Sequence, residues 1–595
     1  MPRLKDKNII RIWNGLFFLV LLVFWRFYYI NHLLQKEQMQ LFLITADYLK
    51  EHLAVQGGLA IYLGEFITQF FLNKWLASGI VSALLTLFVF GIQKVLKAVS
   101  GKEIYMLSFL PAIGYHFMLF DRYYKLAGLV AVTLSVWSLV LFLQVKKANW
   151  RTALGFILMI LNYWFLGGAF ILFALSAVLI EFQLKFKPEQ KYQASRSLLT
   201  VLLVYIVPAV LIPIYVQHFI VIDHLLSAYF SRVFYQFSFL MPTPVVLILI
   251  SLPLLLLIYG WLPEKWVNSF YAGWGVLLFA TLFLISVKLP NFTEEKEMHF
   301  DNLVRERNWE KIIDLAETDP PTGEQAKLAI SLALAKTGQM STLLFHFNPE
   351  PNDFFIPFNI RGMAPLIANE PYYYLGLVNY SKMLCIETME STPDKSMPVR
   401  AVKRVVENYI IDGQYKLAER YLWYLERTLF YRKWAANAKQ YLYNDEKVNT
   451  HPEWGKLRKQ RVHDDFYFQY KRNDLALVSL LRSDQQNKMA YEYLMSWYLL
   501  RKDFDEFLKY LPLVNTFDYK EIPRVFQEAL AYIATLYEEV PEGLKQFPVS
   551  AAVQQQLKRY AQSFQQGGSN QPEEMKRLFG TTYWYYVHFT DFENE

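Results

Sequence analysis

Asp47 and Glu51 stand one helical turn apart in ITADYLKEHLAV. A carboxylate pair at that spacing can work as a general base or help hold a cation, provided that the helix turns it toward a substrate. The same stretch places Phe42, Ala46, Leu49 and Leu53 on one face and Gln40, Asp47 and Glu51 on another. That pattern describes a helix lying at a membrane surface. Gly57-Gly58 breaks it, and LAIYLGEFITQFF restarts it with Glu65 and Gln69 one turn apart. Residues 31–75 therefore read as two interfacial helices joined by a glycine hinge, with Glu37 and Glu65 as further acids.

Basic and titratable residues near the same face are the second set. Arg26 closes the first apolar run beside Tyr28 and Tyr29, where it either snorkels to lipid headgroups or contacts a phosphate. His116, Asp121, Arg122 and Lys125 cluster in GYHFMLFDRYYK, which is either an aromatic belt with a local ion pair or a binding edge. Asp223 and His224 open a later polar segment and read as solvated.

The elements that must position these residues are membrane spans. Of 595 residues, 54% are hydrophobic and 17% aromatic, too apolar for an ordinary soluble chain. The excess ends near Leu289. Nine apolar runs are expected as spans: about 10–30, 75–96, 104–120, 126–145, 152–166, 168–184, 198–221, 244–262 and 266–288, the fifth and sixth joined by a tight turn at Gly167-Gly168. Basic residues before the first run, with no small-x-small cleavage site after it, read as a retained signal anchor. On this pattern the loops on the side of the N-terminus hold fifteen lysines and arginines against six on the other. The positive-inside rule then makes the N-terminus cytoplasmic and puts 31–75 and everything after Pro290 on the outer face of a bacterial inner membrane. The net charge of +7 is accounted for by topology, and no nucleic-acid partner is expected.

Residues 290–595 read as an α-helical domain. GQMSTLLFHF from Gly338, GQYKLAERYL from Gly413 and KDFDEFLKYL from Lys502 each follow one amphipathic helix and open another. This helix-turn-helix pattern resembles degenerate tetratricopeptide repeats, with Gly413 and Ala418 where close helix approach needs small residues. The many aromatics either fill grooves between helices or line a concave partner site. Cys385 is the only cysteine, which excludes an intrachain disulfide and a cysteine zinc site. No phosphate loop, nucleophile elbow, HExxH or EF-hand occurs.

An N-in polytopic chain with an acidic first outer loop and a C-terminal outer domain resembles the GT-C glycosyltransferases. The resemblance implies a polyprenyl-phosphate sugar donor, catalytic carboxylates at Asp47 and Glu51, and lipid-phosphate contacts from Arg26, Arg122, Lys125 and His116. It also admits a divalent cation. The family's acidic motif normally follows span one directly, whereas this chain has Tyr28-Tyr29-Ile30-Asn31-His32 there. The layout, with QLFLITADYLKEHLAVQGGLAIYLGEFITQFF, also resembles an uncharacterised family of polytopic inner-membrane proteins of Bacteroidota-type bacteria. Two functions stay open: a GT-C-like transferase or its inactive relative, and a non-enzymatic membrane scaffold whose repeat domain recruits a periplasmic protein.

Overall fold

A computed structural model describes residues 2–100, 106–185, 201–220, 229–230, 232–236, 243–259, 273–350, 353–355, 364–392, 397–463, 472–537, 542–567 and 571–590. The described residues are helical throughout, with one isolated antiparallel bridge, Tyr124 to Tyr235, and no strand. The chain divides into two units, Met1–Phe292 with Arg427–Phe430, and Thr293–Glu426 with Tyr431–Glu595. Asp223 and His224 lie outside the described residues.

Unit 1 contains α1 (Pro2–Phe27), α2 (Ile30–Gln38), α3 (Ala46–Leu53), α4 (Gly58–Thr68), α5 (Lys74–Ser100), α6 (Phe109–Met118), α7 (Leu126–Gln144), α8 (Ala148–Leu166), α9 (Phe170–Lys185), α10 (Val207–Phe219), α11 (Thr243–Tyr259) and α12 (Gly273–Lys288). α5 packs between α1 and α7, and α4 lies on α7. The α4 contact is close because residue 64 is glycine. A Cβ there would sit 2.6 Å from the backbone of Ala127, so any larger side chain forces the helices apart. Asn14 and Gln93 exchange amide hydrogen bonds of 3.2 and 3.0 Å between α1 and α5, which satisfies both polar groups inside an apolar bundle.

Nine spans were expected, and the helices correct that number. Among the described residues five stretches are long and apolar enough to cross a bilayer: Ile10–Phe27, Lys74–Val99, Leu126–Gln144, Ala148–Leu184 and Leu202–Phe219. The number rises to seven if each of two bent helix pairs counts as one. The 104–120 run falls short because α6 has ten residues, about 15 Å of helix against the roughly 30 Å of a hydrocarbon core. The runs placed at 244–262 and 266–288 are also shorter as described helices. Several helices of this length and composition are consistent with a membrane protein.

The stretch Ala148–Leu184 is folded back on itself. Arg151 Nε lies 2.7 Å from Glu181 Oε1, and Arg151 Nη2 lies 3.3 Å from Oε2. Thirty residues of straight helix would hold them about 45 Å apart. The reversal is at Gly167–Ala169, where Gly167 takes φ 59. Next along the chain, Leu202–Ile206 is a π-helical turn that leads into α10.

Unit 2 opens with α13 (Phe292–Glu306), α14 (Trp309–Thr318), α15 (Glu324–Thr337), α16 (Met340–Leu343), α17 (Ala364–Leu375), α18 (Val378–Ser391), α19 (Val399–Asp412), α20 (Tyr415–Glu426) and α21 (Arg432–Lys439). One turn recurs five times, at Arg307, Gly338, Gly376, Gly413 and Lys502, each with φ between 54 and 101. In every copy the left-handed residue donates its N–H three residues back, and the next residue donates five back, as Gly413 to Ile410 O at 3.1 Å and Gln414 to Tyr409 O at 2.9 Å. This is the Schellman closure of a helix C-terminus. The helix before each turn is the more deeply buried one: eleven of fourteen residues in α19 and eleven of thirteen in Lys488–Leu500 are buried.

Candidate functional site

Thr45 caps α3 by accepting from Tyr48 N–H at 3.2 Å, and this fixes which side of the helix faces in. Asp47 and Glu51 face solvent. The Asp47 carboxylate is 3.6 Å from Lys50 Nζ, with side chains 87% and 77% exposed. The next register, Tyr48 and His52, turns inward to meet Glu65 from α4. The Tyr48 hydroxyl donates to Glu65 Oε2, and His52 Nε2 lies 3.3 Å from the same oxygen. His52 Nδ1 lies 2.8 Å from the Tyr48 carbonyl.

Both nitrogens of His52 therefore face groups that accept hydrogen bonds, an arrangement satisfied by the imidazolium form. Burial alone would lower the His52 pKa, but the Glu65 hydrogen bond and charge outweigh it and the net shift is upward. Burial, reinforced by Glu65, pushes the Tyr48 phenol well above its ordinary range, so Tyr48 stays a donor. An aromatic wall of Phe42 and Tyr62 encloses the group, with ring centroids 5.3 Å from Phe42 to Tyr48 and 5.8 Å from Tyr62 to His52. Gln40 Nε2 donates to Glu65 O at 2.8 Å and ties down the α4 backbone.

The hinge that brings α3 and α4 together depends on its glycines. Gly57 takes φ 77, and a Cβ on Gly58 would fall 1.6 Å from the His52 carbonyl oxygen. Trp164 of α8 braces the turn from outside, donating from Nε1 to Leu53 O at 3.1 Å and accepting Gly57 N–H at 2.8 Å.

A second group forms where α2 meets the turn after α6. Asn31, His32, Gln35, Glu37 and Gln38 are all buried, a polar content that apolar packing does not require. Lys36 Nζ donates to the carbonyls of Asp121, Arg122 and Tyr124 at 3.0, 3.3 and 2.6 Å. Burial draws the Lys36 pKa down to about 7, with the Asp121 carboxylate opposing, and the three carbonyl acceptors favour the ammonium. His32 Nε2 is 3.3 Å from Asp121 O, and burial, aided by Lys36, lowers its pKa well below the ordinary value. Asp121 Oδ1 accepts from Tyr123 N–H at 2.8 Å, which shapes the turn.

The structure thus brings Arg122 to Lys36 and His32, with Lys125 at the N-terminus of α7 in the same turn. Asp47 pairs with Lys50 outside both groups, whereas Glu51 faces solvent but lies near enough for its charge to raise the pKa of Tyr48 and of His52. Arg26 stacks on Trp75 at 4.7 Å and on Phe27 at 5.1 Å. His116 is fully buried among Phe24, Trp25 and Phe120, and its Nε2 donates to Ser286 Oγ at 2.9 Å while that hydroxyl donates to Leu282 O.

Three features were missed in the sequence. The pairing of Tyr48 and His52 at i, i+4 was visible, but the acids beside them drew the assignment. In the sequence Arg151 reads as one of the fifteen loop cations on the side of the N-terminus, although Glu181 inside an apolar run signals a buried partner. In unit 2, Arg400 joins Asp301 at 2.7 Å and Glu370 at 2.9 Å, and Arg404 joins Glu370 and Glu407 at 2.7 Å each. Arg404 also lies 3.5 Å over the Tyr373 ring, whose hydroxyl donates to Glu453 at 2.7 Å. Among the described residues no group of three or more His, Cys, Asp or Glu side chains is placed to hold a metal ion.

The chain belongs to a family of unknown function, DUF6057, whose model matches residues 6–590. No curated protein and no solved structure matches it.

Proposed function

We propose that this member of the DUF6057 family is a membrane-embedded transferase acting on a lipid-linked sugar, with Glu65 as its acid–base carboxylate in place of Asp47 and Glu51. The observation that carries the reading is the meeting of Tyr48, His52 and Glu65 on two short helices between membrane-spanning segments. A carboxylate so held can take the proton of an acceptor hydroxyl as its oxygen bonds the anomeric carbon, while the bond to the lipid phosphate breaks and its electron pair leaves on phosphate. Arg122 and Lys125, with Lys36 behind them, supply positive charge for that phosphate, and Arg26 lies beside Trp75 as a further cation. A divalent cation, if the reaction uses one, would be held by donor phosphate oxygens and a single carboxylate.

In this reading the N-terminus is cytoplasmic, the loop and unit 2 lie on the outer face of the inner membrane, and the repeated helix hairpins form a tetratricopeptide-like array that presents the acceptor. The five repeated turns also favour a second reading, a non-enzymatic scaffold for a periplasmic protein, because stacked helix pairs form extended recognition surfaces. One assay separates the two. Membranes matched for protein abundance are tested for sugar transfer from polyprenyl-phosphate donors. Transfer by wild type and its loss in Glu65→Gln are expected, and full activity of Glu65→Gln removes the catalytic reading. Alkaline phosphatase fused after Glu595 should be active, and an inactive fusion overturns the topology.

A further inference from the structure

Helix α20 carries an exposed stripe that the chemistry above does not use. Tyr415, Ala418, Leu422 and Leu425 are buried on one side. On the other, Lys416, Arg420 and Trp423 are exposed, and the half-buried Arg427 follows one residue past the helix end. The spacing of four and three residues keeps Lys416, Arg420 and Trp423 within a stripe roughly 60° wide. Two more exposed cations, Arg432 and Lys433, open α21. From Tyr415 to Gln440 there are six basic and two acidic residues, so these 26 positions hold +4 of the chain's net +7. Both acids are engaged: Glu426 pairs with Lys439 at 2.8 Å, and Glu419 accepts from the Tyr443 hydroxyl at 3.4 Å.

We infer that the α20 stripe, with the first turn of α21, is a docking surface for the anionic headgroups of a phospholipid bilayer. Three observations select lipid as the occupant. The patch is strongly cationic, so its complement is a negatively charged surface. Its stripe carries an exposed tryptophan, Trp423, among arginines and lysines, the combination that settles at the headgroup level, where the indole body and the cations are both accommodated. The turn that follows α20, Arg427–Phe430, belongs to the unit that carries the candidate spans, so the patch is continuous in sequence with membrane-associated structure. A basic residue near an anionic surface strengthens partitioning by about fivefold, so four to five of them hold a tethered helix firmly.

Cys385 is fully buried, so a cysteine introduced at an exposed position is the accessible thiol. Trp423→Cys in the full chain is labelled with bimane and reconstituted into nanodiscs of phosphatidylcholine alone or mixed with phosphatidylglycerol. The expected result is quenching by lipids brominated near the glycerol end of the acyl chain, at least about twofold stronger in the anionic discs and diminished by high salt. Adding Lys416→Glu and Arg420→Glu should abolish the difference, whereas Lys558→Glu with Arg559→Glu, exposed cations elsewhere in unit 2, should leave it intact. Equal quenching in both discs, or quenching indifferent to the charge reversal, overturns the inference. So does protection of the label that requires an added protein.

Discussion

Glu65 Oε2 lies 3.3 Å from His52 Nε2, across the turn that Gly57 and Gly58 make between α3 and α4. Both side chains are only about one-sixth exposed, at 17% and 15%, so the pair is sheltered without being sealed from a substrate. Tyr48 donates to the same carboxylate oxygen, so the three side chains form one hydrogen-bonded group.

The first prediction concerns chemistry. Replacing a positioned acid–base carboxylate commonly costs about 10²- to 10⁴-fold in rate. Glu65→Gln should fall in that range in the membrane transfer assay, and His52→Asn should show a smaller loss because it leaves the carboxylate in place. Asp47→Asn and Glu51→Gln should stay within about twofold of wild type, as solvated residues do. Loss of transfer in Asp47→Asn with Glu65→Gln active would return the site to the outer face of α3.

The second prediction follows from the upward shift of His52. A histidine whose folded pKa exceeds its unfolded value stabilises the fold fully below the unfolded value, near 6.5, and loses that contribution as pH rises through the folded pKa. Amide exchange in α3 and α4 should therefore quicken as pH is raised above about 6.5, beyond the intrinsic base catalysis of exchange. His52→Asn should remove the excess, and an unchanged excess in that variant would assign it to another group.

What the sequence made legible was local. The Gly57-Gly58 hinge and the turns at Gly338, Gly413 and Lys502 follow from residues close in the chain, and the positive φ values at Gly57, Gly338, Gly413 and Lys502 carry those readings. The turns at Arg307 and Gly376 went unread, one because arginine does not advertise a left-handed conformation, the other because Gly376 sits within a run of aromatic and aliphatic residues. The inward face of α3 could not be read because none of its residues is fully buried, so a weakly contrasted helix left two registers equivalent until Glu65 selected one. Span count suffered from a related limit. Hydropathy registers apolar length but not the point where α6 stops and the chain turns at Asp121.

A third prediction tests the folded-back hairpin of α8 and α9. Glu181 is fully buried, so Arg151→Met leaves an uncompensated carboxylate in the bundle and should destabilise unit 1 by about 3–5 kcal/mol. Arg151→Met combined with Glu181→Leu removes both charges and should recover most of that loss. Thermal aggregation of detergent-purified protein would read both, and equal damage from the single and double variants would show that the ion pair is not what joins the helices.

The fourth prediction uses the ionic network of unit 2. Burial alone would raise the Glu370 carboxyl, but Arg404 and Arg400 outweigh it and hold it below the usual carboxylate range. A carboxylate depressed in the folded state contributes stability above its unfolded value, near 4.5, and loses it as pH falls through the folded pKa. Amides of α17 and α19 should accordingly lose protection as pH drops below about 4.5, ahead of those in Lys488–Leu500, which makes no contact with Arg400 or Arg404 in this network. Glu370→Gln keeps the shape and leaves Arg400 with Asp301 and Arg404 with Glu407, but replaces their shared carboxylate by a neutral amide, a cost of about 1.5–3 kcal/mol. The variant should show the same early exchange already at neutral pH, and native protection there would mean that Asp301 and Glu407 suffice to hold both arginines.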